Sequence, residues 1–150
     1  MSSILESFDK IKSNIKNLET KRSVNIVAIS KTFSMDHIKP LIDIGHDHFG
    51  ENKVQEALSK WTTIKYDNQK LKLHMVGKLQ SNKAKDAYKI FDYIHSLDTQ
   101  KLVDIFSNCE KDSLKKLKYF IQVNIGNESQ KSGLPINEID GFYNYCTKEK

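Results

Sequence analysis

Apolar residues recur at helical spacing through Ile4, Phe8, Ile11, Ile15 and Leu18, which predicts an amphipathic helix over about residues 3–19. The pattern then condenses into an apolar run, Val24-Asn25-Ile26-Val27-Ala28-Ile29. A run this short and dense reads as a buried strand, over about 24–30. Ile38, Leu41 and Ile42 return to helical spacing behind Ser34, a residue suited to a helix N-cap, and Gly45 suits the stop. Pro40 lacks a backbone donor, so this helix is expected to kink or to begin late. Four more strand-then-helix pairs follow. Strands are expected over about 46–49, 71–76, 92–95 and 119–125. The helices between and after them carry Val54, Ala57, Leu58 and Trp61, then Ala84, Ala87 and Tyr88 behind a capping Ser81, then Leu102, Val103 and Phe106. A last helix begins near Pro135, with Ile136, Ile139, Phe142 and Tyr143 on its apolar face. One helix followed by five strand–helix units requires crossover connections, and so a parallel sheet clothed in helices. No linker, repeat or low-complexity segment interrupts the order, so the 150 residues form a single domain.

Composition narrows the class. Apolar residues make up 38 % and charged residues 29 %, the balance of an ordinary globular domain, and no apolar run approaches the ~20 residues that cross a bilayer. The start, Met1-Ser2-Ser3-Ile4-Leu5-Glu6, lacks the basic-then-apolar order of an export signal. Cys109 and Cys146 match no metal spacing and read as reduced thiols, so a cytoplasmic location is expected. The net charge of +5 is carried by lysine, because Arg22 is the only arginine. Lysine lacks the planar fork that reads bases and phosphates, and these charges are scattered over helical faces, so no nucleic-acid partner is expected.

The residues hardest to explain as core fall at expected strand ends: Lys31, then Glu51 and Asn52, then His74, then His95 and Ser96, then Asn124. In parallel α/β folds that rim is where ligands bind. Lys31 stands out. A primary amine at the mouth of an apolar sheet is placed to condense with a carbonyl, and partial burial makes it more nucleophilic. Plainer roles are open to the others: Asn52 as a helix cap, His74 as a hydrogen-bonded strand residue, Asn124 as the partner of a loop carbonyl. Gly77-Lys78-Leu79-Gln80-Ser81-Asn82-Lys83 lacks the glycine spacing of a Walker loop and reads as a strand-to-helix turn. His37, His46 and His48 have no partner at metal-ligand spacing, and no metal is expected.

Five segments match a known family: Ala28-Ile29-Ser30-Lys31-Thr32, Phe49-Gly50-Glu51-Asn52-Lys53-Val54-Gln55-Glu56, His74-Met75-Val76-Gly77-Lys78-Leu79-Gln80-Ser81-Asn82-Lys83, His95-Ser96-Leu97-Asp98, and Gln122-Val123-Asn124-Ile125 with Lys131-Ser132-Gly133. In these segments and their order the chain resembles the pyridoxal-phosphate homeostasis proteins, the YggS/PROSC family. The resemblance implies a (β/α)8 TIM barrel like the N-terminal domain of alanine racemase, here shortened to about five strand–helix units, since a full barrel takes ~200 residues or more. It implies pyridoxal 5'-phosphate (PLP) as cofactor, held as a Schiff base on Lys31, with Asn52, His74 and Ser96 as the further expected contacts. It implies a role in vitamin B6 and amino-acid homeostasis without catalysis, and PLP-dependent apoenzymes as recipients. The phosphate-binding segments of the family fall in strand–helix units beyond these five, so cofactor binding is expected to be weak and easily reversed. Five parallel strands do not close, so open edges and inner apolar surface invite self-association. Two other readings stand beside this one: a racemase-like PLP enzyme, which needs a proton donor opposite Lys31 and finds only His74 or His95, and a basic module binding RNA or protein.

Overall fold

The computed structural model describes residues 3–18 and 22–148, and residue 19, where the first helix was expected to end, lies outside them. Helix α1 (Ile4–Asn17) opens on a capping box: Ser3 Oγ accepts from the Glu6 amide at 3.2 Å, and the Glu6 carboxylate accepts from the Ser3 amide at 3.0 Å. There follow β1 (Ala28–Ile29), α2 (Met35–Asp43), β2 (His48–Glu51), α3 (Val54–Asp67), β3 (Lys72–Met75), a 3₁₀ turn leading into α4 (Ala84–Ile90), β4 (Tyr93–Leu97), α5 (Gln100–Glu110), β5 (Lys118–Ile121), and a second 3₁₀ turn before α6 (Ile139–Lys148). The five strands form one sheet in chain order, β1-β2-β3-β4-β5, and every adjacent pair is parallel. The expected α/β class and the five strand–helix units are both present.

Boundaries move where pairing overrides pattern. The run from Val24 pairs only at Ala28 and Ile29, opposite Phe49 and Gly50, because β1 is an edge strand and β2 begins at His48. β2 itself starts two residues later than expected, since His46 is still part of the exit from α2. There the His46 amide donates to Leu41 O and the Gly45 amide to Ile42 O, a Schellman closure that needs the positive φ (87°) of Gly45. α2 starts promptly at Met35 and runs through Pro40. Ser34 occupies its N-cap position, but its hydroxyl engages His37 Nδ1 (3.1 Å) and caps no amide. Ser81 does not cap α4 either, because it opens the 3₁₀ turn whose tighter bonding uses the Ser81 carbonyl. The side-chain cap lies one helix further on, where Thr99 Oγ1 accepts from the Leu102 amide that opens α5. β5 ends at Ile121, beyond which the single bridge Val123–Leu134 continues the line. On α6 Phe142 is buried and Tyr143 exposed, while Ile136 falls in the 3₁₀ turn before the helix and is exposed as well.

The two faces of the sheet differ in chemistry. Phe49, Leu73, Met75 and Ile94 point into the helix layer and meet Trp61, Leu102, Phe106 and the small residues Ala57, Ala84 and Ala87, all buried. The small side chains let α3 and α4 lie close to the strands. The other face carries His48, His74, His95 and Phe120, which touch one another across the strands. Ile29 lies over Gly50 on this side, where a β-carbon would come within 2.7 Å of its methyl. Ile29 and Phe120 are 47 % and 51 % exposed, so apolar inner surface is open at both edge strands, as expected of an unclosed sheet.

Candidate functional site

Lys31 is the second residue past β1 and is exposed. The turn that carries it is held from both sides. Ser30, immediately before, is buried. Its amide donates to Gly50 O (2.9 Å), and its hydroxyl donates to Glu51 Oε1 (2.7 Å). Thr32, immediately after, has φ 66°, a left-handed conformation that a β-branched residue adopts only under constraint. The constraint comes from α3. The Thr32 amide donates to Glu56 Oε1 (3.1 Å), and the Lys60 ammonium donates to Ser30 O and to Phe33 O, each at 3.0 Å. Lys60 also pairs with Glu51 Oε1 (2.9 Å), which accepts from Trp61 Nε1 (2.9 Å) as well. The Thr32 amide, first among several causes, holds the Glu56 carboxyl below its ordinary pKa.

The sequence marked Glu51 as rim polarity and Trp61 as core, and both belong to this support of the Lys31 turn. Lys60 was not singled out. The available signal was its i,i+4 spacing from Glu56 on one helix, with the acid N-terminal to the base.

Asn52 follows the end of β2, next to the Lys31 turn, and its Oδ1 is buried without a hydrogen-bond partner among the described residues. Its backbone oxygen and Cβ lie against Gly77, the second residue past β3. A β-carbon on Gly77 would fall 2.6 Å from Asn52 O and 2.8 Å from Asn52 Cβ. Backbone cannot yield as a side-chain tip does, so Gly77→Ala is expected to cost about 1–3 kcal/mol and to displace Asn52. Thermal unfolding reads the cost. Ser96 lies near the C-terminal end of β4, beside an irregularity between Ile94 and Leu97, and its buried Oγ also lacks a partner among the described residues. Asn124 keeps to its plainer role, bonding through both side-chain atoms to the backbone of Glu128 (Nδ2 to O 2.8 Å, Glu128 N to Oδ1 3.2 Å) and closing the loop after β5.

His74 is the next-to-last residue of β3, buried on the inner face. Both its ring nitrogens are occupied, Nε2 by His48 Nδ1 and Nδ1 by His95 Nε2, each at 2.8 Å. Its ring stacks on Tyr93 at 4.1 Å. Three imidazoles thus form a row across β2, β3 and β4, a pairing made by strand register. Neutral rings carry one N–H each, so all donors in the row point the same way. Burial, then the neighbouring His95 and His48, lower the His74 pKa to about 4. Among the described residues no three His, Cys, Asp or Glu side chains are placed to hold a metal ion. No described helix is long and apolar enough to cross a membrane.

Of the four expected contacts, then, Lys31 and Asn52 stand at neighbouring strand ends. Ser96 lies two strands further on, its buried hydroxyl unpartnered among the described residues, and His74 is committed to its histidine neighbours.

The model of the alanine racemase N-terminal domain family matches residues 7–150. A pyridoxal phosphate homeostasis protein of Vibrio alginolyticus is 34 % identical over 146 residues, 93 % of this chain and 63 % of that one. The Escherichia coli K12 protein of the same name is 30 % identical over 93 % of this chain and 62 % of its own. The chain therefore spans about three fifths of the length of the curated relatives it matches. PipY of Synechococcus elongatus, solved with PLP bound, aligns over 93 % of this chain and 64 % of its own, at 29 % identity and a TM-score of 0.74. Alanine racemase of Clostridium difficile shares the fold at 14 % identity and a TM-score of 0.68, over 36 % of its length. With its five parallel strand–helix units and its lysine at the end of the first strand, the chain belongs to the alanine racemase N-terminal domain family and, within it, to the YggS/PROSC group of pyridoxal phosphate homeostasis proteins.

Proposed function

We propose that this chain binds pyridoxal 5'-phosphate through the Lys31 amine as a non-catalytic, cytoplasmic carrier that serves vitamin B6 and amino-acid balance. The observation that carries the reading is the braced turn at the end of β1, which fixes the backbone on both sides of Lys31 and leaves its side chain exposed. The unpartnered Asn52 Oδ1 and Ser96 Oγ fit a polar ligand at the same end of the sheet, because buried polar atoms without partners are rare unless something binds them. The cofactor supplies an aldehyde: its carbon joins the Lys31 nitrogen in a C=N bond and the carbonyl oxygen leaves as water. Racemisation needs proton donors on both faces of the cofactor. His74 and His95 are the candidates of that type here, and His74 has both ring nitrogens engaged, which favours holding over turnover. Release to PLP-dependent apoenzymes, and pairing of two copies through the open edges of β1 and β5, complete the reading.

The test is borohydride trapping of the chain incubated with PLP, followed by peptide mass analysis. Preferential labelling of Lys31, with the visible absorption of the bound cofactor lost in Lys31→Ala, is expected. Labelling spread evenly over the lysines, or an unchanged spectrum in Lys31→Ala, would overturn it.

A further inference from the structure

We infer that Lys60 is a positioning residue for Lys31: its ammonium, from helix α3, latches both ends of the turn that presents the reactive amine. The inference rests on the proposed cofactor role of Lys31 and extends it to a residue that the sequence did not single out.

An ammonium carries three N–H donors and accepts nothing. At Lys60 all three have a close acceptor, Ser30 O at 3.0 Å, Phe33 O at 3.0 Å and Glu51 Oε1 at 2.9 Å, with Glu56 Oε1 a fourth oxygen at 3.3 Å. The two carbonyls flank Lys31 and Thr32, one before the pair and one after, so a single nitrogen spans the turn. The third donor anchors that nitrogen to a carboxylate with 0 % side-chain exposure, itself tied to β1 through Ser30 Oγ and to α3 through Trp61 Nε1. The Lys60 side chain is only 11 % exposed, so water does not readily replace these contacts. Glu56, one helical turn before Lys60, completes the brace by taking the Thr32 amide.

The latch has work to do because Thr32 sits at φ 66°. Left to itself, a threonine relaxes toward negative φ, and the turn would swing Lys31 away from the end of β1. A turn held at that angle keeps the amine in one place before any ligand arrives, and pre-set geometry is what a condensation needs. An arginine does not replace Lys60, because a planar fork on a longer stem cannot aim three donors at a tripod of acceptors.

The test uses Lys60→Met and Glu56→Ala, each with and without Thr32→Gly, since glycine takes the left-handed conformation freely. Glu56→Ala leaves the buried Lys60–Glu51 pair intact and so guards against simple unfolding of Lys60→Met. Two quantities are read. Amide exchange at Thr32 and Phe33, in the absence of cofactor, reports the latch itself. The rate of borohydride-trapped PLP attachment at Lys31, against that at the exposed Lys39, reports positioning. We expect faster exchange at Thr32 in both variants, attachment at Lys31 slowed by about tenfold with Lys39 unchanged, and part of the rate restored by Thr32→Gly. A stabilising role alone would not slow Lys31 selectively and would not be rescued by glycine. Wild-type exchange in both variants, or wild-type attachment at Lys31 despite faster exchange, overturns the positioning role. Absence of Lys31 labelling in the unsubstituted chain overturns the cofactor reading and this role with it, while the exchange data still distinguish the two failures.

Discussion

Glu51→Ala is expected to lower the unfolding free energy by about 3–5 kcal/mol, the range for removing one partner of a buried ion pair. Glu51 is wholly buried, and one of its oxygens accepts from Ser30 Oγ, Trp61 Nε1 and Lys60 Nζ together. Alanine strands the ammonium and leaves the hydroxyl and the indole N–H without their acceptor in the same step. A domain of this size has about 5–15 kcal/mol in total, so the variant approaches the unfolding threshold. Glu51→Gln keeps the size and one acceptor but leaves Lys60 with the more distant, partly exposed Glu56 carboxylate (3.3 Å) as its one counter-charge, so its loss should be smaller and still large. Urea unfolding midpoints at neutral pH, with unchanged slopes, measure both. A Glu51→Ala variant within about 1 kcal/mol of the unsubstituted chain, a change small beside that range, would mean that the cluster is not the buried pair described here.

The second large effect is a loss of stability in mild acid. The His74 pKa falls from 6.5 to about 4 in the folded chain. Between those values the unfolded chain binds the proton and the folded chain does not. Stability contributed by neutral His74 is therefore complete above pH 6.5 and declines as the pH falls toward 4. Each tenfold weakening of proton binding corresponds to about 1.4 kcal/mol, so the decline amounts to about 3 kcal/mol. Burial lowers His46 and His95 as well, and their contributions run the same way. Asp98, raised by burial, runs the opposite way. The comparison that isolates His74 is thus the difference between the parent chain and His74→Asn across the span from neutral pH down to about pH 4. The parent should lose more on acidification, and equal slopes would remove His74 from the account. Burial is the first reason, and the row of rings adds to it: a second proton on His74 would turn one N–H toward another and strand a charge between His48 and His95.

The two effects separate the faces of the sheet. Glu51 belongs to the helix side, where one carboxylate gathers the donors around the Lys31 turn. His74 belongs to the inner side, open toward Ile29 and Phe120 at the edges. The cofactor chemistry proposed for Lys31 rests on the first of these supports, which is why the braced turn and not the histidine row carries the functional reading.

Much of this was legible in the linear pattern. The alternation of dense apolar runs with helical spacing named five strands and six helices in the right order, because the two periods differ and each unit has a clear boundary residue such as Gly45 or Pro135. Lys31 was identifiable as standing just past the end of β1, since apolar-to-polar transitions mark strand ends. The limits of β1 and β2 were off by a few residues, because an edge strand pairs only as far as its neighbour reaches.

Order, type and strand ends are written in local spacing, which is why they can be read one residue at a time. The company each side chain keeps is not written there. Ser30 meets Glu51 across 21 residues and Lys60 across 30, and His74 meets His48 and His95 across 26 and 21. Those meetings depend on register, and a slip of one residue turns every side chain of a strand to the opposite face. Packing of β1 against β2 and of α3 over both therefore chose the partners of the Lys31 turn, through contacts that no local periodicity encodes.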